Sequence, residues 1–123
     1  MAAWFTDEDW QKLEEKACYE YYDGELRGIW KIKYQLYLYE WNGSTAEYYE
    51  YFLFKLNQIG LDQIKHDRSI KQFIIDNQNT NCQIARVGKD EHLLGLRKPT
   101  KKDLSFVVPI FDKIDFDFLT EKK

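Results

Sequence analysis

The segment Asp90-Glu91-His92 brings two carboxylates and an imidazole together in the chain. Side chains of these types act as general bases and as metal ligands. Adjacent residues seldom converge on one point, however, and the nearby Gly88 predicts that the three occupy a hairpin turn. The second histidine, His66, is distant in sequence, so no pair has metal-ligand spacing. We predict neither a metal nor a cofactor, and a small hydrolase that uses His92 is kept as an alternative.

A thiol nucleophile is the next chemistry that the residue types allow. Cys18 or Cys82 could form a nucleophile–base pair with His92. Cys18 lies beside the apolar stripe of a predicted helix, and a free cysteine usually packs as a small hydrophobic residue. The chain has no phosphate-binding loop, dinucleotide fingerprint, zinc spacing or nucleophile elbow. We therefore predict no catalytic residues and a protein without enzymatic activity.

The basic cluster of the sequence runs from Arg97 to Lys102 and is interrupted by Pro99. Together with the basic and aromatic residues of 30–34 it could form a nucleic-acid surface. No RRM, KH or helix-turn-helix signature accompanies it. We favour a solvated loop, and a nucleic-acid-associated factor using this loop stays as an alternative.

The clearest local signal is a helix start near the N-terminus. Thr6 is suited to an N-cap, and Asp9 completes a capping box in the place of the usual Glu or Gln. Phe5 and Trp10 have the spacing of a hydrophobic staple. Apolar residues continue at helical spacing, which predicts that this helix ends at Gly24.

The opposite side of this predicted helix would carry acids and tyrosines. The residues that we expect to face outward together are Glu8, Glu15, Tyr19 and Tyr22. Tyrosine suits an interface because it is amphipathic, and acidity steers a basic partner. We predict a partner-binding surface here. The alternative is a helix that is covered on both sides.

Residues 29–41 alternate in a way that fits a strand, although a helical stripe can also be traced through them. Aromatic enrichment and the nearby glycines favour the strand. A turn is predicted at Asn42-Gly43. These residues therefore predict a strand that ends in a turn.

A second helix is predicted after this turn. Ser44 followed by Glu47 has the pattern of a capping box, and the helix would run to about Ile59. It would be apolar on most sides, which is typical of a buried central helix. Phe54 points nearly opposite to its main face and is an alternative docking residue.

The C-terminal half carries most of the strand signals. A third helix is predicted from Asp67 or Ser69, followed by a hairpin of residues 83–87 and 92–97. Two further strand candidates lie at 104–110 and 114–118. The predicted fold is α+β, with about three helices packed against an antiparallel sheet formed mainly by the C-terminal half. An almost wholly helical N-terminal half is the alternative architecture.

The composition bounds the remaining possibilities. A length of 123 residues with 44% hydrophobic residues fits a single globular domain, 1–123. The chain lacks a membrane-spanning run and a signal-like N-terminus, and two cysteines make a poor disulfide framework. We therefore expect a cytoplasmic protein with reduced thiols and no membrane partner. The net charge of −3 is uneven: residues 1–28 carry −5 and residues 61–111 carry +3.

Size, acidity and tyrosine content together suggest a function. We predict a small non-enzymatic protein-binding module that binds a basic protein partner through its acidic, tyrosine-rich face. Inhibitors of the immunity or antitoxin type, which neutralise nuclease toxins, work by this physics. The likeness is one of charge and size.

Overall fold

A computed structural model of the chain describes residues 3–21, 25–67, 73, 76, 77 and 81–104. Its centre is a six-stranded antiparallel sheet in which consecutive strands are neighbours. The strands are β1 (Glu14–Tyr21), β2 (Glu25–Ile32), β3 (Gln35–Ser44), β4 (Tyr48–Leu56), β5 (Cys82–Gly88) and β6 (Leu93–Arg97). Three short helices have described bounds, α1 (Asp7–Trp10), α2 (Gln58–Asp67) and α3 (Lys101–Leu104), and residues 73, 76 and 77 are helical as well. The broad α+β class is confirmed, but strands dominate, and four of the six come from the N-terminal half.

The first helix begins where it was predicted and ends much earlier. The Thr6 hydroxyl accepts from the Asp9 amide at 3.2 Å, and the Asp9 carboxylate accepts from the Thr6 amide at 3.0 Å, so the capping box forms. The helix ends at Trp10 and β1 starts at Glu14, so the predicted continuation to Gly24 is wrong. Pairing with β2 overrides helical spacing here, because a helix would leave that strand with an unpaired edge.

Residues 29–41 form strands, as predicted, but they belong to two of them. The chain reverses at Lys33 and Tyr34, and Lys33 has a φ of 55°. Trp30 pairs with Tyr37 across the resulting hairpin. The 13 residues from 29 to 41 are long for a single strand, and the turn divides them between β2 and β3.

The predicted second helix is wrong, since Tyr48–Leu56 is β4. Phe52 and Phe54 lie on one face of this strand, and Tyr51 and Leu53 lie on the other. A strand that is buried on both faces is apolar on all sides, and so is a buried helix, so the hydrophobic pattern of these residues does not distinguish the two. The turn before it is built by Thr45, whose amide donates to the Tyr48 carbonyl at 2.7 Å.

The predicted C-terminal hairpin is confirmed as β5 and β6. Of the predicted third helix, Phe73 is described and helical, while Ser69 lies outside the described residues. The strand candidates 104–110 and 114–118 also lie outside them, apart from Leu104 at the end of α3. The six strands that the structure describes are therefore not contributed mainly by the C-terminal half.

The sheet buries both faces. We call the side covered by residues 3–13 the front face. Its buried cluster contains Phe5, Trp10, Trp30, Ile32, Tyr37, Tyr39, Tyr51, Leu53, Ala85 and Val87. The back face holds Phe52 and Phe54, and Phe54 contacts Phe73 with ring centroids 6.3 Å apart. Among the described residues, none of the helices has the length and apolar character needed to cross a membrane.

Candidate functional site

The outward helix face predicted for partner binding does not form. Glu8 lies on α1, where its carboxylate is 4.0 Å from the Lys12 ammonium. Glu15 lies on β1 opposite Trp30, and the Tyr39 hydroxyl donates to it at 3.4 Å. Tyr19 lies on β1 with a side chain outside the described part, and Tyr22 lies outside the described residues. Glu8 and Glu15 are separated because the chain turns after α1.

Phe54, the alternative docking residue, is fully buried on the back face. Its ring stacks near Phe52 and meets Phe73 edge-on. The prediction that it points outward is wrong, because the segment is a central strand and has no exposed side.

His92 lies after the β5–β6 turn and is bound to a residue that the sequence did not associate with it. Its Nδ1 is 2.8 Å from Asp7 Oδ2, and Asp7 Oδ1 accepts from the Leu93 amide at 2.7 Å. The hydrogen bond to Asp7 raises the pKa of His92, and the same bond lowers the pKa of Asp7. Asp90 instead accepts from the His92 amide at 3.1 Å and so shapes the turn. A carboxylate that orients an imidazole is one part of a general-base site.

Cys82 does not meet His92. It lies at the start of β5 on the back face, whereas His92 follows the far end of that strand. Six residues of strand separate Cys82 from Gly88, which is about 20 Å. Burial raises the pKa of the Cys82 thiol, so it stays protonated at neutral pH. The predicted nucleophile–base alternative therefore fails for Cys82, and the Cys18 side chain lies outside the described part.

The basic cluster at 97–102 is partly neutralised within the fold. Arg97 donates to Glu50 at 3.1 Å and to Asp103 at 2.8 Å. Three strands separate β2 from β6, so this cluster and residues 30–34 do not form one surface. Trp30 is also buried and cannot stack on a base. Among the described residues, no cluster of three or more His, Cys, Asp or Glu side chains could hold a metal ion.

A cavity of about 220 Å³ lies on the front face, between the end of α1 and the sheet. We call it the aromatic cavity. Its lining residues are Trp10, Gln11, Leu13, Trp30, Tyr49, Tyr51 and Glu91. They come from the N-terminal segment, β2, β4 and the β5–β6 turn. The sheet therefore assembles a pocket from four separate stretches of sequence.

The rings of the aromatic cavity stand close to perpendicular to one another. Trp10 and Trp30 have centroids 5.3 Å apart at 90°, and Trp30 and Tyr51 have centroids 4.9 Å apart at 74°. Tyr49 and Tyr51 follow at 5.8 Å and 88°. Behind them, Tyr39 stacks on Trp30 at 3.8 Å. Such packing fixes the ring positions, because neither edge-to-face nor stacked pairs leave room for other rotamers.

The polar side of the aromatic cavity is fixed by backbone contacts. The Gln11 amide donates to the Glu91 carbonyl at 2.9 Å and lies 3.3 Å from His92 Nδ1. Glu91 has a φ of 69°, and its amide donates to the Gly88 carbonyl at 2.8 Å. Its backbone is thus held while its side chain is exposed. Trp30 Nε1, in the opposite wall, is buried without a hydrogen-bond partner in the part of the chain that is described.

Acids gather at the end of the sheet where the aromatic cavity lies. The β3–β4 and β5–β6 turns share this end because Tyr48 pairs with Gly88, and Asp7 attaches α1 to it. We call this region the acidic end, and its carboxylates are Asp7, Glu8, Glu47, Asp90 and Glu91. The basic groups that the described residues place near this end are Lys12, Lys89, His92 and Arg86, whose guanidinium lies 4.0 Å from the Tyr48 ring centroid. Glu91 belongs to both the acidic end and the aromatic cavity.

A second cavity, of about 340 Å³, lies beside the β2–β3 turn. It is lined by Asp9, Lys12, Glu14, Lys31, Lys33 and Tyr34. Asp9 is used by the capping box, and Glu14 pairs with Lys16 at 3.0 Å. Its aromatic member, Tyr34, is 93% exposed.

Comparison with protein-family models, with curated proteins and with solved structures finds no match to this chain. Glu91 stood out in the sequence as part of Asp90-Glu91-His92, but its aromatic neighbours did not, because Trp30 has an ordinary strand position. The helical assignment of residues 44–59 concealed the alternation that puts Tyr49 and Tyr51 on one face.

Proposed function

We propose that this protein is a non-enzymatic binding module of the inhibitor or immunity type that binds a basic protein partner. The docking region is the acidic end together with the aromatic cavity, in place of the helix face expected from the sequence. The observation that carries the proposal is the presence of an aromatic-walled cavity at the acidic end, with Glu91 common to both.

The physical argument combines two effects. Exposed carboxylates such as Glu8 and Glu47 attract a basic surface over several ångströms and accelerate its encounter. Tyrosine and tryptophan supply contact area with little loss of side-chain entropy, which makes them favoured interface anchors. Trp41, 42% exposed, lies opposite Tyr51 and extends the aromatic surface of the front face.

The experiment uses charge reversal with a matched control. The tagged protein captures its partner, and a basic protein that co-purifies is then measured against each variant by surface plasmon resonance. In the double variant Glu8→Lys with Glu47→Lys, association should slow by about tenfold at low salt. The difference should shrink at high salt, since screening removes the attraction.

The control changes the charge by the same amount elsewhere. Glu14 is the first residue of β1 and pairs with Lys31, at the end of the sheet opposite to the acidic end. Asp62 lies on α2, where its carboxylate accepts from the Gln58 amide at 2.9 Å. The double variant Glu14→Lys with Asp62→Lys should bind like the parent apart from a small effect of net charge. Equal slowing by both double variants would show that only net charge matters, and the proposed docking region would be wrong.

The second cavity favours one other function, binding of a nucleic acid. Tyr34 offers an exposed ring for stacking a base, and Lys31 and Lys33 are suited to phosphates. This function predicts salt-sensitive retention on a polyanion column that is lost in Lys31→Gln with Lys33→Gln. Retention that these substitutions leave unchanged would remove it.

A further inference from the structure

We propose that the aromatic cavity receives the side chain of an arginine from the partner, with the guanidinium over the half-buried ring of Tyr49 and against Glu91. This inference rests on the proposed function and names the group that the docking region recognises. The cavity itself supplies four arguments: its rings, its carboxylate, the lysine already beside it, and its size.

The rings present surfaces that attract cations. An aromatic face is negative and attracts a cation that lies within about 6 Å of the ring centroid. Among the rings of the cavity, half-buried Tyr49 is the one that an entering group can reach, while Trp10, Trp30 and Tyr51 are buried. Their burial excludes much of the water that would screen this attraction. The walls are thus suited to a delocalised cation.

Glu91 supplies the counter-charge. It lines the cavity, and no contact of its carboxylate occurs among the described residues, whereas Asp7 and Asp90 are engaged by His92. Its carbonyl accepts from Gln11, which fixes its backbone at the cavity, and its side chain is exposed. A guanidinium can donate two parallel hydrogen bonds to a carboxylate while its plane stacks on a ring. These two properties favour arginine over lysine.

A cation of this chain already lies beside the wall. The Lys89 ammonium is 5.3 Å from the Tyr49 ring centroid. Two other aromatic residues carry cations in the same way, Tyr48 with Arg86 at 4.0 Å and Trp4 with Lys55 at 4.9 Å. Lys89 therefore marks a cation position, and it competes with an incoming arginine.

The size of the cavity restricts the occupant. About 220 Å³ is less than the roughly 300–1,000 Å³ of sites for drug-sized ligands. One side chain fits this volume better than a cofactor does. The occupant is therefore a single residue presented by a larger partner.

The test uses the intact protein and a minimal probe, N-acetyl-arginine-N-methylamide. Its control is the citrulline analogue, which has nearly the same shape and no charge. Binding is followed by the indole N–H resonances of isotope-labelled protein. We expect saturable shifts at Trp10 and Trp30 with the arginine probe and about tenfold weaker binding of the citrulline probe. Trp4, which stacks on Tyr37 with centroids 5.6 Å apart, is outside the cavity and should not shift.

Variants separate the two attractive groups. Tyr49 is only partly buried, so its replacement is compatible with folding. Tyr49→Leu should weaken the arginine probe about fivefold, while Tyr49→Phe, which keeps the ring, should bind within about twofold of the parent. Glu91→Gln should weaken it by a similar factor, and Glu47→Gln, which changes a neighbouring carboxylate outside the cavity, should not. Lys89→Gln should tighten binding, because it removes the competing cation.

The outcomes distinguish this inference from the proposed function. Equal binding of the arginine and citrulline probes, or no saturable shift at Trp10 and Trp30, would overturn the inference. The proposed function would survive that result if Glu8→Lys with Glu47→Lys still slowed association of the partner. Conversely, arginine binding that depends on Tyr49 and Glu91 would support the inference even if the acidic end proved irrelevant to association.

Discussion

Asp7 shows how one carboxylate can serve several roles at once. It is the first residue of α1, where a negative charge is favourable at the helix start. It also accepts from the Leu93 amide, the Gln11 amide and the His92 ring. The N-cap predicted at Thr6 implies only the first role, and the sequence does not indicate the contact with His92, which is 85 positions away along the chain. Asp7 therefore attaches the N-terminal segment to the β5–β6 hairpin beside the aromatic cavity.

The Asp7–His92 pair predicts a pH dependence with a definite sign. The folded pKa of His92 is raised, so its contribution to stability is complete below its ordinary pKa and is lost as the pH rises through the folded value. The folded pKa of Asp7 is lowered, so its contribution is present above its ordinary pKa and is lost as the pH falls through the folded value. The pair is therefore strongest at mildly acidic pH.

NMR titration of the histidine ring protons checks this prediction. His66→Gln assigns the His92 signal, and Asp7→Asn should then shift the pKa of His92 downward. The variant Glu8→Gln serves as a control, because it removes a neighbouring charge without removing a hydrogen bond to the ring. An unchanged His92 pKa in Asp7→Asn would mean that the pair does not exist in solution.

The Thr6 cap should contribute measurably to stability although α1 is short. Its hydroxyl accepts from the Asp9 amide at 3.2 Å, and loss of such a cap costs roughly 0.5–2 kcal/mol. We expect Thr6→Ala to lower the free energy of unfolding by this amount in denaturant titrations. Thr6→Ser keeps the hydroxyl and should stay within about 0.5 kcal/mol of the parent. If the two variants are equally stable, the hydroxyl contributes nothing.

At the scale of elements, the local sequence signals were better at placing turns than at predicting whether a helix or a strand follows. The capping box at Thr6 and Asp9 is present, but it starts a helix of four residues. Ser44 and Glu47 have the same pattern and start no helix, since Thr45 closes a hairpin turn there. A capping pattern needs a following segment that gains more from helical burial than from strand pairing. Residues 48–56 gain from burial on both faces of a sheet, which periodicity cannot separate from a buried helix.

The packing of α2 against Phe73 predicts a steric effect at Gly60. A Cβ at this position would lie 2.6 Å from Phe73 Cε1, and Phe73 is buried against Phe54. Gly60→Ala should therefore destabilise the protein by about 1–3 kcal/mol through overpacking, despite the better helix propensity of alanine. Gly95→Ala on β6 is the control, because nothing lies within 4 Å of its Cβ. Chemical denaturation of both variants tests this, and a stabilised Gly60→Ala would contradict the contact.

At the scale of the whole molecule, a charge network on the back face joins the last strands. Glu50 on β4 binds Arg86 on β5 at 3.0 Å and Arg97 on β6 at 3.1 Å. Arg97 continues to Asp103 on α3 at 2.8 Å. The network balances two cations with two carboxylates, which is required of partly buried charges. It also explains why a basic cluster in the sequence contains an arginine with a structural role.

The aromatic cavity belongs to this same scale, which is why the sequence did not indicate it. Its walls come from residues 10, 11, 13, 30, 49, 51 and 91, and only the strand order brings them together. Tyrosine and acid content predicted a basic partner, which stays a prediction. The positions of these residues could not be predicted, because placing them requires the register of β2 against β3 and of β3 against β4.

The charge network predicts how the whole fold responds to acid. Burial opposes ionisation of Glu50, but hydrogen bonds from Arg97 and Arg86 outweigh it and lower its pKa. The hydrogen bond from Arg97 also lowers the pKa of Asp103. Both contributions are present above the ordinary carboxyl pKa and are lost as the pH falls through the folded values. The contribution of Glu40 to the pH dependence of stability has the opposite sign, because burial raises the pKa of Glu40 more than Arg27 lowers it.

Between about pH 5 and pH 3, the free energy of unfolding should therefore fall with falling pH. The slope is about 1.4 kcal/mol per pH unit for each proton that only the unfolded state takes up. Urea titrations at several pH values should give a shallower slope for Asp103→Asn and for Glu50→Gln than for the parent. Glu40→Gln should give a steeper slope, since the removed group took up its proton in the folded state. Parallel curves for all four proteins would mean that these carboxylates titrate alike in both states and that the network does not persist in solution.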